Sequence, residues 1–216
     1  MAVRQYPVII TVRDRLTCLR QLLKWLEKMG QNEVWLCDND STFPPMVEFL
    51  KTTKHNVVYN KFNLGHRAPW LSGLVPQLGS ERYFIISDPD VVPDSDTPDD
   101  VFEVFEHMLH SNPSIDKVGF SLRIDDLPDH FAHKSNVITW EKQFWQNVYW
   151  PGFYKAPIDT TFAMYRPGSG HQNGERGERL PAARGDRRHR GPPLHGPAHP
   201  LRPVPQPPVR GRVETG

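Results

Sequence analysis

The chain has 216 residues, enough for one or two domains of about 150 residues each. Its formal net charge is +1, because a basic C-terminal end outweighs a charge of −4 on residues 1–166. The negative charge of residues 1–166 disfavours nucleic-acid binding by this part as a whole. No run approaches the ~18–20 apolar residues of a membrane span, and two cysteines without a C-x-x-C spacing indicate neither a disulfide framework nor a zinc ribbon. Because the charged first residues do not fit a signal peptide, we expect a cytoplasmic chain, or one held peripherally at the inner membrane face.

Apolar runs and helical spacings alternate along the chain up to residue 166. Strands are predicted at residues 6–12, 33–37, 56–59, 82–87, 117–124 and 160–165. Helices are predicted at residues 16–29, 46–52, 68–78 and 98–109, with Asp14 placed to cap the first helix and Gly30 placed to end it. This alternation predicts an α/β domain with an open, mainly parallel, Rossmann-like sheet flanked by helices.

Acidic residues follow two of the predicted strands. Asp38 and Asp40 come after the second strand, and Asp88 and Asp90 come after the apolar run at 82–87. In open α/β sheets, ligands bind beyond the carboxyl ends of the strands, where the strand order reverses. Carboxylates spaced i and i+2 suit Mg²⁺ or Mn²⁺, ions that neutralise a diphosphate. The alternatives are a solvated Asp-Pro-Asp turn and an Asx-type turn before Ser41.

The segment Asn63-Leu64-Gly65-His66-Arg67 is a second candidate for ligand binding. Arg67 would then lie near phosphates, whereas the alternative is a turn glycine followed by a surface cation. The chain has no G-x-G-x-x-G and no G-x-x-x-x-G-K-[ST], so a Rossmann dehydrogenase and a P-loop NTPase are disfavoured.

Taken together, the segments YPVIITVRDR, LCDNDST, NLGHRAPWLSGL and FIISDPDVVPD resemble the family 2 glycosyltransferases, which have a GT-A type nucleotide-sugar-binding fold. Their order and spacing match over about residues 5–125, and the likeness continues to about Arg166. The resemblance implies metal-dependent transfer of a sugar, typically with inversion. The donor would be a nucleotide diphospho-sugar, commonly of uridine or guanosine, and the acceptor a hydroxyl of a glycan, a lipid or a small molecule.

The resemblance also assigns roles to individual residues. Asp38 would bind the nucleobase, Asp88 the ribose or the metal, and Asp90 the Mn²⁺ or Mg²⁺ ion that bridges the diphosphate. The other donor-binding positions are Asp40, Asn63, Gly65 and Arg67. The base that deprotonates the acceptor hydroxyl is predicted to be Asp159, with Asp125 and Asp126 as rivals.

Two other functions stay open. A sugar-nucleotide nucleotidyltransferase has a related α/β core, but normally carries a glycine-rich loop after its first strand, where this chain has VRDR. A non-catalytic, nucleotide-sugar-binding relic is the second alternative, because the likeness stops where the composition changes.

Residues 167–216 differ from the rest of the chain. They hold 10 Pro, 9 Gly, 9 Arg and 4 His, with no Lys and no Phe, Tyr or Trp. Such a segment buries too little surface to offset its ordering entropy, so we expect a disordered tail after a GT-A-like domain at 1–166. The abrupt change indicates a reading-frame shift near Ser169 to Asn173; the alternative is a genuine basic tail for acidic partners.

Overall fold

The computed structural model describes residues 3–94, 97–125, 127–150, 152–158 and 161–169, together with 182–185 and 209–210. The strands are β1 (Val8–Val12), β2 (Val34–Asp38), β3 (Asn56–Tyr59), β4 (Phe84–Ser87), β5 (Val92–Pro93), β6 (Lys117–Phe120), β7 (Val148–Trp150), β8 (Phe153–Ala156), β9 (Ala163–Tyr165), β10 (Ala182–Gly185) and β11 (Val209–Arg210). The α-helices are α1 (Leu16–Lys28), α2 (Pro44–Thr52), α3 (Ala68–Leu71), α4 (Leu74–Leu78), α5 (Val101–Ser111) and α6 (Lys134–Glu141), and 3-10 turns form at Gly65–Arg67 and Lys142–Trp145. The predicted α/β class is confirmed.

The described residues form two compact units. The first contains the chain up to Val92 and residues 161–169, and the second contains residues 93–158 with β10 and the end of the described chain. Of the expected disordered tail, the structure describes residues 167–169, β10 and β11; the rest lies outside the described residues. No helix in the described part is long and apolar enough to cross a membrane.

The first unit contains a mainly parallel sheet with the strand order β3-β2-β1-β4-β9. Strands β1, β2, β3 and β4 are parallel to one another, and β9 is antiparallel to β4. The predicted mainly parallel sheet is therefore confirmed for this unit. The chain steps from β1 through β2 to β3 on one side, and then crosses to place β4 on the other side of β1. The strand order thus reverses between β1 and β4.

The two strands at this reversal are mostly apolar, with Thr11 in β1 and Ser87 at the end of β4 as their polar residues. In β1, Val8, Ile9, Ile10 and Val12 are fully buried. In β4, Phe84, Ile85 and Ile86 are equally buried, and the Phe84 ring stacks on Tyr165 of β9 with 5.2 Å between ring centroids. Continuous rather than alternating apolar runs are typical of parallel strands covered on both faces.

Helix α1 ends as its sequence predicts. Gly30 has a φ of +71°, and its N–H donates to the Glu27 carbonyl at 3.0 Å. The Gln31 N–H donates to the Leu26 carbonyl at 2.9 Å, which completes a Schellman motif.

The predicted capping of α1 by Asp14 is wrong. Arg15 occupies the N-cap position of α1, without a capping hydrogen bond from its side chain. Asp14 adopts a φ of +56°, and its Oδ1 accepts the N–H groups of Thr42 and Phe43 at 2.8 Å each. The carboxylate therefore fixes the chain entering α2, where two backbone donors would otherwise lack a partner inside the helix.

The second unit has the strand order β6-β10-β8-β7. Strand β10 is parallel to β6 and antiparallel to β8. Helix α5 packs Phe105 edge-on against Phe120 of β6, with 5.2 Å between ring centroids.

Helix α5 was expected to begin at Pro98 but begins at Val101. Residues 98–101 form a turn instead, in which the Val101 N–H donates to the Pro98 carbonyl at 3.2 Å.

Candidate functional site

The first unit gathers polar residues at the carboxyl edge of its parallel sheet. Val12 at the end of β1 pairs with Asp38 at the end of β2, and Ile10 pairs with Ser87 at the end of β4. The segments that follow these strands therefore leave the sheet at the same edge, at the reversal of strand order. This is where open α/β sheets bind their ligands. We call this group of residues the sheet-edge site; it contains Arg15, Asp38, Asn39, Asp40, Asn63, Gly65, Arg67, Asp88 and Asp90.

An ion pair spans the reversal of strand order. The Nη1 of Arg15, directly before α1, contacts the Oδ2 of Asp90 after β4. The Asp90 side chain is only 7% exposed, whereas the Arg15 side chain is 40% exposed. The pair therefore joins a nearly buried carboxylate to a cation that still reaches solvent. Sequence reasoning missed Arg15, which lies 75 residues from its partner.

Asp88 is half-buried at the end of β4. Its backbone carbonyl accepts the Ser87 hydroxyl at 2.8 Å and the Val91 N–H at 3.5 Å, so the Asp-Pro-Asp segment turns tightly away from the sheet. The turn expected from the residue types is therefore present. The turn and a ligand-binding role are compatible, because the same bend places both carboxylates in the segment beyond the strand.

Asp38 is buried at the end of β2, with 5% of its surface exposed. Its Oδ1 accepts the Ser41 N–H at 3.3 Å. Burial raises the pKa of the Asp38 carboxyl above its ordinary value; hydrogen bonds from Ser41 oppose this change, and the nearby carboxylates of Asp14 and Asp40 reinforce it. The fold thus holds a carboxylate in an environment that disfavours its charge, a condition common at functional sites.

Asn39 connects the end of β2 to the loop after β3. Its Nδ2 donates to Asn63 Oδ1 at 2.7 Å and to the Gly65 carbonyl at 3.2 Å, and its Oδ1 accepts the Leu64 N–H at 2.6 Å. Asn63 Oδ1 also accepts the Gly65 N–H at 2.9 Å. Asn63 therefore shapes its own loop. Asn39 supports that loop, although no separate role was predicted for it from the sequence.

Three further residues predicted to bind the donor are Gly65, Arg67 and Asp40. Gly65 has a φ of +64°, and a Cβ added there would meet no atom within 4 Å. Arg67 is exposed at the end of the 3-10 turn that begins at Gly65. Asp40 is half-buried and has a φ of +66°. The structure therefore joins the loop at Asn63 and Gly65 to the end of β2, where Asp38 and Asp40 lie.

Of the three predicted bases, the structure describes Asp125. Asp125 belongs to the second unit, where its exposed carboxylate pairs with Arg123; the Nη2 of Arg123 lies 3.4 Å from Asp125 Oδ2. Asp126 and Asp159 lie outside the described residues. The choice among these three acids therefore stays a prediction.

The donor set at the sheet-edge site is suited to a hard cation. In the described part of the chain, no group of three or more His, Cys, Asp or Glu side chains converges to hold a metal ion. Asp88 and Asp90 offer two carboxylates, and Mg²⁺ is commonly held by one or two carboxylates together with substrate phosphates rather than by a complete protein cage. The residues present therefore fit an ion that binds together with a diphosphate.

Comparison with protein-family models gives no match, and comparison with curated proteins gives none either. A function for this chain is therefore inferred from its own residues and from their geometry.

Proposed function

We propose that this chain is a metal-dependent glycosyltransferase with a GT-A type fold. It would move a sugar from a nucleotide diphospho-sugar to an acceptor hydroxyl, with inversion. The observation that carries the proposal is the position of Asp38, Asp88, Asp90 and Arg15 beyond parallel strands at the reversal of strand order. At that position, the Asp38 carboxylate can accept hydrogen bonds from a nucleoside, and Asp88 and Asp90 can hold a metal ion that binds a diphosphate.

The nucleoside end of the donor is assigned to Asp38. Its carboxylate is buried and oriented by the Ser41 N–H, so its direction is set before a ligand arrives. A buried carboxylate is a strong acceptor for the N–H of a nucleobase, since hydrogen bonds to charged groups are short and strong in a partly dry site. Asp40 and the loop at Asn63 and Gly65 would enclose the same end of the donor.

The diphosphate end is assigned to Asp88, Asp90 and Arg67. Asp88 and Asp90 would hold Mn²⁺ or Mg²⁺, and the bound ion would neutralise charge on the departing nucleoside diphosphate. Arg67 is an exposed guanidinium whose planar fork suits phosphate oxygens. An acidic residue, proposed to be Asp159, Asp125 or Asp126, would take the proton of the acceptor hydroxyl as its oxygen attacks the anomeric carbon.

The test compares Asp90→Asn with a matched change at the other edge of the same sheet. Glu33 directly precedes β2 and pairs with Arg82 at 2.6 Å, so Glu33→Gln also removes a carboxylate from an arginine pair, but at the amino ends of the strands. Thermal shift with UDP and GDP, with and without Mn²⁺, measures binding. Release of nucleoside diphosphate from UDP- and GDP-sugars measures turnover. We expect Asp90→Asn to lose metal-dependent stabilisation and turnover, and Glu33→Gln to keep both.

The result also separates the transferase from the relic. Metal-dependent stabilisation without turnover by the unaltered chain favours a non-catalytic nucleotide-sugar-binding protein. Full turnover by Asp90→Asn contradicts the role of this carboxylate in metal binding.

A further inference from the structure

The contact between Arg15 and Asp90 raises a question about metal binding, because it places a cation on the carboxylate proposed to hold the metal. One oxygen of Asp90 faces Arg15 Nη1. A divalent ion at the same carboxylate would lie within a few ångströms of a permanently charged guanidinium. Two such cations repel each other strongly in a partly buried site. Arg15 and a metal ion therefore compete for Asp90.

The two partners are not equally able to move. Asp90 is almost completely buried in the turn after β4, whereas the Arg15 side chain is 40% exposed and belongs to the N-cap residue of α1. A long exposed side chain changes rotamer on a much shorter time scale than a packed turn rearranges. Arg15 is therefore the partner that leaves when an ion binds to Asp90.

A guanidinium that leaves Asp90 can pair with another anion, and the proposed donor supplies one. Phosphate oxygens accept the same two-pronged hydrogen bonds from arginine as a carboxylate does. We propose that Arg15 blocks Asp90 in the ligand-free protein and moves to the diphosphate when metal and donor bind. This inference rests on the proposed function. Its consequence is that metal and diphosphate bind cooperatively, each favouring the state in which the ion pair is open.

The first experiment measures Mn²⁺ binding alone, by electron paramagnetic resonance titration of the full chain. We expect Arg15→Gln to bind Mn²⁺ roughly five-fold more tightly than the unaltered chain, which is the effect of losing a partly exposed ion pair. Arg13→Gln is the matched control. Arg13 is an exposed cation in the same β1–α1 connection, so this substitution removes the same charge. At about 0.15 M salt, screening keeps the effect of that charge small, within roughly two-fold.

The second experiment repeats the titration with UDP or GDP present. The nucleotide should tighten Mn²⁺ binding more in the unaltered chain than in Arg15→Gln. Metal that the nucleotide binds in solution is subtracted first, and this correction is the same for both proteins. Equal coupling in the two proteins overturns the proposed movement of Arg15.

Asp90→Asn separates failure of this inference from failure of the proposed function. If Asp90→Asn abolishes Mn²⁺ binding and Arg15→Gln leaves it unchanged, Asp90 is a metal ligand but Arg15 does not block it. If the unaltered chain and Arg15→Gln both fail to bind Mn²⁺, the competition is refuted together with the metal site.

Discussion

The Nδ2 of Asn39 lies 2.7 Å from the Oδ1 of Asn63, and this hydrogen bond joins the end of β2 to the loop after β3. Asn39 is 4% exposed, and its side chain also engages Leu64 and Gly65. One buried amide therefore satisfies several polar groups of the loop after β3.

Asn39→Ala should lower the free energy of unfolding by about 1 kcal/mol, because it removes the acceptor of the Leu64 N–H and the donor to Asn63 Oδ1 at a half-buried connection. Urea denaturation measures this change. Asn32→Ala is the matched control: Asn32 is exposed, and its side chain makes a bond of 3.1 Å to the Gly30 carbonyl. We expect its effect to stay within about 0.5 kcal/mol. Equal losses from both variants would contradict the supporting role of Asn39.

Gly79→Ala and Gly65→Ala should destabilise the chain for different reasons. A Cβ on Gly79 would lie 2.4 Å from Cδ1 of Phe84, whose ring is fully buried, so the packing must shift at a penalty of about 1–3 kcal/mol. At Gly65 space is open but φ is +64°, and the strained backbone alone accounts for about 1 kcal/mol.

A second substitution distinguishes these two causes. Phe84→Leu should offset part of the effect of Gly79→Ala and none of the effect of Gly65→Ala, since only the first pair is in contact. Thermal unfolding of the single and double variants checks this, and strict additivity at both positions would refute the steric explanation for Gly79.

Asp38→Asn should stabilise the fold at neutral pH while weakening nucleotide binding. The pKa of Asp38 is raised in the folded state by burial, so the folded chain holds this proton more tightly than the unfolded chain does. By linkage, the charged form lowers stability above the raised pKa, and this penalty disappears as the pH falls through that pKa toward the ordinary aspartate value. The stability gain of the variant should therefore shrink over that acidic interval. Urea denaturation across the interval tests the sign, and a gain that grows on acidification would contradict it.

Arg15→Gln should destabilise the metal-free chain more than Asp90→Asn does. Removing Arg15 leaves a nearly buried carboxylate without its cation, whereas removing Asp90 leaves a guanidinium that is already 40% exposed and can be hydrated. Because solvent screens a partly exposed pair, we expect the free energy of unfolding to fall by about 1 kcal/mol for Arg15→Gln and by less than about 0.5 kcal/mol for Asp90→Asn. Denaturation in chelator measures both, and the reverse order would show that Asp90 is not held by this pair.

The pattern of apolar residues along the chain was sufficient to predict the main strands and the first helix of the first unit. The apolar runs gave β1 and β4, helical spacing gave α1, and Gly30 gave its end, because each signal depends on residues close in sequence. The position of Asp90 followed from the run at β4, and that of Asp38 from the run at residues 33–37, since a polar residue at the end of a buried strand lies at the edge of the sheet.

Contacts between distant segments were beyond that reasoning. Arg15 and Asp90 are 75 residues apart, and Asn39 and Asn63 are 24 apart, so their pairing depends on which strands become neighbours. The prediction for Asp14 failed for the same reason. Its position before α1 favours a cap on that helix, but in the fold its carboxylate accepts the N–H groups of Thr42 and Phe43 before α2.

Strand β9 has a consequence for the synthesis of the chain. Its Tyr165 pairs with Phe84, although the chain departs from the first unit after Val92 and contributes residues 93–158 to the other unit before it returns. On the ribosome, β4 emerges long before the strand that covers its second side, and pairing of such high contact order is slow. Until then the growing chain presents Phe84–Ile86 on an open strand edge, the kind of template on which nascent chains associate with one another. Chaperone engagement of ribosome-bound chains should therefore end only after residue 165 has left the exit tunnel.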